Sequence, residues 1–186
     1  MGITFRFDPD KAVEAAAMFL ELHGKPMKYI GLLKLLYIAD RLSLERMEHP
    51  ITGDCGASLD WGLLPSNIYN LIKGRTVGRA LPLWKEFISD FDADKKVSLK
   101  AVPEYDNLCE AEEDIIREVY DKNGKIDPFA LAMGTHALPE WEDPHGSSIF
   151  VSVDKVLRYM GKSESDIENI RQEVDREAYF DRILAT

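Results

Sequence analysis

With 186 residues, 45% hydrophobic and 30% charged, the chain has the length and composition of a single domain (1–186) able to bury a core, and excludes a disordered segment or two ordinary domains. Its formal net charge of −10 opposes general affinity for nucleic-acid phosphates and would suit a basic protein partner. The opening residues lack an apolar signal core, and Tyr29–Ala39, interrupted by Lys34, is too short to cross a bilayer, so the expectation is a soluble cytoplasmic protein.

The first helix begins at Asp8, an N-cap, with Pro9 at N1 and Asp10 where the helix dipole favours negative charge. Val13, Ala16, Ala17 and Leu20 recur at helical spacing, and Gly24 and Pro26 stop it. The second helix, about Lys28 to Met47, is apolar around most of its circumference and is expected at the centre of the core. Lys34, Arg41 and Glu45 fall on one stripe, read as its only wet side. A turn-rich stretch from His49 to Gly56 follows. Residues Ala57 to Trp61 read as a short strand or an extended link. Leu64-Pro65-Ser66 leads into a short helix with Ile68, Tyr69, Leu71 and Ile72 facing inward, ended by Gly74.

Residues 84–91 and 97–102 flank Asp92-Ala93-Asp94-Lys95 and predict a small β-hairpin. Beyond Pro103 the helical pattern resumes. Residues 110–123 form an acidic helix with Ile115, Ile116, Val119 and Tyr120 inward. Asp127-Pro128 starts another helix near 127–137. Val153–Met160 ends at Gly161, and Ser163-x-x-Asp166 approximates a capping box for a last helix with Ile167, Ile170, Val174 and Ala178 on one face. The fold class is therefore mainly α (an α-rich α+β domain), built around a buried central helix with one small hairpin.

Residues 28–74 carry a recurring pattern. Lys34-Leu35-Leu36-Tyr37, Ala39, Asp40 and Arg41 are followed by Pro50, Thr52-Gly53-Asp54, then Gly62, Pro65, Tyr69, Lys73 and Gly74. His136, Glu140, Trp141 and Pro144 follow later. The combination resembles the Panacea domain, the SocA-like antitoxin family. One departure is visible: family members have Gly-Pro directly, whereas this chain reads Gly62-Leu63-Leu64-Pro65. The resemblance implies a mainly helical antitoxin that neutralises a protein toxin, usually encoded beside it, by direct contact, either by blocking the toxin or by presenting it for proteolysis. Other readings are a phage- or mobile-element-associated adaptor without a toxin partner, and a small hydrolase using the His136–His145 region. A homo-oligomer is compatible with any of them.

No catalytic, cofactor or metal site is expected. His23, His49, His136 and His145 form neither H-x-x-x-H nor H-E-x-x-H. Cys55 and Cys109 form no C-x-x-C pair and are expected as reduced thiols. Each also has a neighbouring carboxylate, which disfavours the thiolate. P-loop, G-x-G-x-x-G and G-x-S-x-G signatures are absent. The basic run Lys73–Arg79 reads as a solvated loop before a phosphate cradle, and the eight acids between Glu104 and Asp121 as a wet helix face before a dock for a basic toxin.

The candidate partner-binding or family-signature residues are Asp40, Arg41, Trp61, Pro65, Tyr69, His136 and Trp141. Asp40 shares a helical face with Leu33, Leu36, Leu44 and Met47, so it should be buried and held by a partner, with arginine or tyrosine best suited. A binding pocket is the other reading of Asp40. Trp61 and Trp141 are expected in the core ahead of a role as interface anchors.

Overall fold

The structure, a computed structural model, describes residues 2–184; residues 1, 185 and 186 of the expected domain lie outside them. The elements are α1 (Pro9–His23), β1 (Met27–Lys28), α2 (Tyr29–Met47), β2 (Gly56–Leu59), β3 (Gly62–Pro65), α3 (Ser66–Ile72), α4 (Ala80–Phe87), β4 (Lys96–Val97), α5 (Glu110–Asn123), α6 (Pro128–Gly134), β5 (Ile149–Phe150), α7 (Val153–Tyr159) and α8 (Glu164–Leu184). It is an α-rich α+β fold, and among the described residues no helix is long and apolar enough to cross a membrane.

Local signals explain most helix ends. The Asp8 carboxylate accepts hydrogen bonds from the amides of Asp10 and Lys11, and Gly24 closes α1 in the left-handed region. Asp127 caps α6 in the same way, through Phe129 and Ala130. At α8, the Ser163 hydroxyl receives the Asp166 amide while the Asp166 carboxylate takes the Ser163 amide, a reciprocal capping box.

Helix α2 is the centre of the main core, packed against α1, α5, α6 and β3. Leu32, Leu33, Leu35, Leu36 and Ala39 are buried on it, together with Phe19 of α1, Ile116 of α5 and Trp84 of α4. Each such large apolar side chain contributes roughly 1.5–3 kcal/mol of transfer free energy. A second cluster joins Ile3 and Phe5 to Leu44 and to Val156, Leu157, Ile167 and Ile170 of α7 and α8. Here Ala178 departs from expectation. It is exposed, because the apolar contact of α8 with the second cluster ends at the half-buried Val174. The last turns touch the body through polar contacts such as Asp181 with Arg6, while Tyr179, Phe180 and Ile183 face outward.

The hairpin lies elsewhere than expected. Residues 84–87 are the last turn of α4: Ala80, Trp84 and Ile88 are spaced four apart and all buried, a helical and not a strand period. Pro82 is tolerated there because the first-turn amides have no helical acceptor. The reversal at Asp92–Lys95 survives as a short irregular pairing. The Ile88–Leu99 bridge is flanked by backbone bonds from Lys100 to Phe87, Ser89 to Ser98 and Asp92 to Lys96, while Lys96–Val97 pairs with Met27–Lys28. The true hairpin is β2–β3, in register Ala57–Leu64 and Leu59–Gly62, with Asp60 and Trp61 at its tip and β5 on the far side of β2.

Candidate functional site

The signature residues converge where α2 meets the β2–β3 hairpin and the segment after α6. Lys34, expected on the wet stripe, is almost wholly buried, and its ammonium Nζ donates to the Leu63 carbonyl at 2.7 Å. The stripe is covered at Lys34 because β3 lies over it, and the strand carbonyl satisfies the amine that periodicity assigned to water, while Glu45 stays exposed. Burial lowers the Lys34 pKa to about 7. One turn on, the Tyr37 hydroxyl donates to Glu140 Oε1 at 3.1 Å, and the Arg41 guanidinium donates to the same carboxylate at 2.5 and 3.3 Å. The Glu140 side chain is 0% exposed. Burial, reinforced by that carboxylate, pushes the Tyr37 phenol far above its ordinary range.

Asp40 does have a partner from another part of the chain, but it is neither arginine nor tyrosine. Its carboxylate accepts the Thr52 amide at 2.8 Å and the Thr52 hydroxyl. A small rim of accessible surface remains on Asp40, yet protein surrounds the carboxyl, and burial raises its pKa to about 7 against the opposing pull of Thr52. Two residues on, Asp54 takes the amides of Asn67 and Ile68, both at 2.9 Å, and so caps α3 from outside its own segment. Burial raises Asp54 to about 6. Gly53 between them fits so closely that a Cβ would stand 2.1 Å from the Arg6 carbonyl oxygen.

Gly62 follows the same logic at the hairpin. Its φ is +84°, and a Cβ would meet Thr135 Oγ1 at 2.1 Å and the Ala132 carbonyl at 2.6 Å. The Thr135 hydroxyl donates to Ala132 O and accepts the Leu63 amide, tying the hairpin to the end of α6. Leu63 and Leu64, the two residues inserted between glycine and proline, extend the chain as β3 with both side chains buried, and Pro65 still delivers it to the start of α3.

These residues and their order decide the family. A family model described as antitoxin SocA-like, Panacea domain, matches residues 32–142. The chain belongs to the Panacea family. No curated protein and no solved structure matches it. The Panacea match runs from α2 to the segment just past Glu140, so it spans the helix, the Thr-Gly-Asp loop, the hairpin and the closing strap that these bonds hold together.

The remaining signature side chains divide between frame and surface. Pro65 is buried at the head of α3. Tyr69 is half-buried, and the Lys73 ammonium lies among the rings of Tyr29, Tyr69 and Phe91 at 4.6, 5.4 and 4.9 Å. His136 stacks on Trp141, centroids 4.1 Å apart and planes 15° from parallel, and its Nε2 is buried without a partner. The Trp141 indole N–H reaches the Leu59 carbonyl at 3.3 Å, which makes this tryptophan a half-buried brace. Trp61 contradicts the core expectation. It is 56% exposed at the hairpin tip, edge-on to Phe129, because a two-residue turn leaves no side for the ring to enter the interior.

Chemically, the three carboxylates of the site are all engaged: Glu140 by Tyr37 and Arg41, Asp40 by Thr52, Asp54 by the α3 amides. The cavity that touches Asp40 and Asp54 measures about 60 Å³, walled by Phe5, Val151 and Val156. His145 lies on the surface beside Asp143 at 3.4 Å, away from the His136–Trp141 stack. Cys55 and Cys109 are free thiols, and burial followed by the Asp54 charge raises the Cys55 pKa. The acidic stretch is not wholly solvated either, since Glu112 is buried and pairs with Lys11 at 2.7 Å. Of the basic loop, Arg79 pairs with Asp10 and Arg75 bonds Asn70. The sequence placed Thr52 and Glu140 inside the motif, and Glu140 also beside His136 in the hydrolase alternative, but gave no sign of the bonds they make to α2.

Proposed function

We propose that this chain is the antitoxin of a toxin–antitoxin pair. It works in the cytoplasm, binds one particular protein toxin encoded by a neighbouring gene, and performs no chemistry of its own. Membership of the SocA-like antitoxin family supports the general role. The observation that carries the mode of action is the engagement of Tyr37, Asp40, Arg41, Asp54 and Glu140 in internal bonds. These polar side chains hold the frame, which leaves recognition to what the frame displays, such as Trp61 at the hairpin tip. Tryptophan in such a place is the residue type most enriched among interface anchors.

Co-expression with each flanking gene product in a growth assay, followed by co-purification, tests the reading. One flanking product should be toxic alone, harmless with this chain, and captured by it. A toxin whose level falls only when a cellular protease is intact would identify proteolytic presentation as the route. If neither flanking product is toxic and nothing is captured, the antitoxin role is wrong for this chain.

A further inference from the structure

The formal charge of −10 is not spread evenly over this protein. A groove of about 570 Å³ runs between the start of α2, the end of α5 and the start of α6, and Lys25, Lys28, Lys96 and Lys125 line it. Among the described residues Asp127 is the only carboxylate on its walls, and that group already caps α6. The Lys28 ammonium bonds the Asp94 carbonyl, and among the described residues none of the four lysines is paired with a carboxylate. Four like charges around one cleft repel each other in the isolated fold.

The floor of the same groove is apolar, with Met27, Leu35 and Leu131 buried beneath it. Its lip continues into exposed hydrophobic surface. Phe129 and Met133, one helical turn apart on α6, are 45% and 50% exposed. Trp61 meets Phe129 edge-on at 5.8 Å, and the Lys28 ammonium lies 5.9 Å from the centre of the Phe129 ring. Basic groove and aromatic lip are therefore one continuous surface, with the composition of an interface centre beside a charged rim.

We propose that this groove, with Phe129 and Trp61 at its lip, receives an acidic segment of the protein partner, one apolar side chain of which seats on the groove floor. The proposal rests on the antitoxin reading for the identity of that partner as a toxin. Charge complementarity names the segment as acidic. An apolar floor enclosed by lysines suits a side chain flanked by carboxylates. A polyanion such as nucleic acid would meet the same lysines but also the repulsion of the acidic remainder of the chain.

The full chain is titrated with a fluorescent helical peptide of glutamate and leucine carrying one phenylalanine. Binding should weaken as salt rises. It should fall about tenfold or more in a Lys25→Glu, Lys125→Glu double variant, and also in Phe129→Ala. These side chains are exposed, so the melting temperature should not move. Absent binding, equal binding by wild type and variants, or preference for a single-stranded DNA oligonucleotide each overturns the groove.

The same variants are then co-expressed with the flanking toxin. Loss of capture and of protection supports the groove as the toxin site. Capture that survives both substitutions overturns that site while the antitoxin role stands. Peptide binding at the groove with no toxic neighbour supports the groove and removes the antitoxin role.

Discussion

Arg41 and Glu140 meet through two hydrogen bonds across 99 residues of chain, and Tyr37 adds a third bond to the same carboxylate. The pair fastens the strap after α6 onto the central helix, so the early and late halves of the signature close on each other. Its two members differ in surroundings: the Arg41 side chain is 20% exposed and that of Glu140 is 0%.

That asymmetry sets the first prediction. Arg41→Ala strands a buried carboxylate and should cost about 3–5 kcal/mol in urea unfolding. Glu140→Gln, which keeps the shape and one acceptor, should cost less, since the guanidinium can turn toward water. A double-mutant cycle should give a coupling above about 1 kcal/mol. Additive costs would show that the pair does not act as a clamp.

Lys34 makes stability depend on alkaline pH. Its folded pKa, about 7, lies below the unfolded value of 10.5. Between those values the unfolded chain holds the proton and the folded chain does not. Stability should therefore rise with pH across that window, by up to about 1.4 kcal/mol per pH unit. Below pH 7 both states are protonated, and this contribution is constant. Urea titrations at pH 7, 8 and 9 should show the rise in wild type and a flatter response in Lys34→Met. Identical slopes would mean that the amine is not buried as described.

Gly62→Ala should destabilise by more than about 2 kcal/mol, because positive φ and a Cβ contact with Thr135 and Ala132 act together. Gly74→Ala is the comparison: φ is +70° but no atom lies within 4 Å of the added carbon, so about 1 kcal/mol is expected. Equal losses measured by thermal unfolding would show that the close packing of hairpin against α6 contributes nothing.

The two tryptophans of the signature should separate in mutagenesis. Trp141→Ala removes the stack on His136 and the bond to Leu59, and should cost roughly 2 kcal/mol or more. Trp61→Ala should change stability by no more than about 0.5 kcal/mol, as an exposed tip residue. A large drop in melting temperature for Trp61→Ala would contradict its placement.

What could be read in sequence was whatever neighbours in sequence decide. The cap at Asp8, the proline starts at Pro9 and Pro128, the Ser163–Asp166 box and the apolar surface of α2 all stand in the structure, because capping and helical periodicity act within a turn or two. The order of signature residues likewise sufficed for the family. Failure came wherever the deciding contact was distant. Periodicity put Lys34 in water, but β3 covers it and supplies a carbonyl from 29 residues away. Asp40 was expected to find a charged or hydrogen-bonding partner, and it does, but a threonine twelve residues on fills the place for which arginine or tyrosine was preferred. The WKEF run was read as a strand, but Ala80, Trp84 and Ile88 are buried along one face of α4, which packs on α1 and favours the helix. Trp61 looked like a core aromatic until the β2–β3 register placed it at a two-residue tip. The same holds for the groove: Lys25, Lys28, Lys96 and Lys125 are scattered along the chain, and only the packing of α2, α5 and α6 gathers them. Local energetics choose the elements; desolvation, long-range hydrogen bonds and the summed charge of assembled surfaces exist only once those elements have packed.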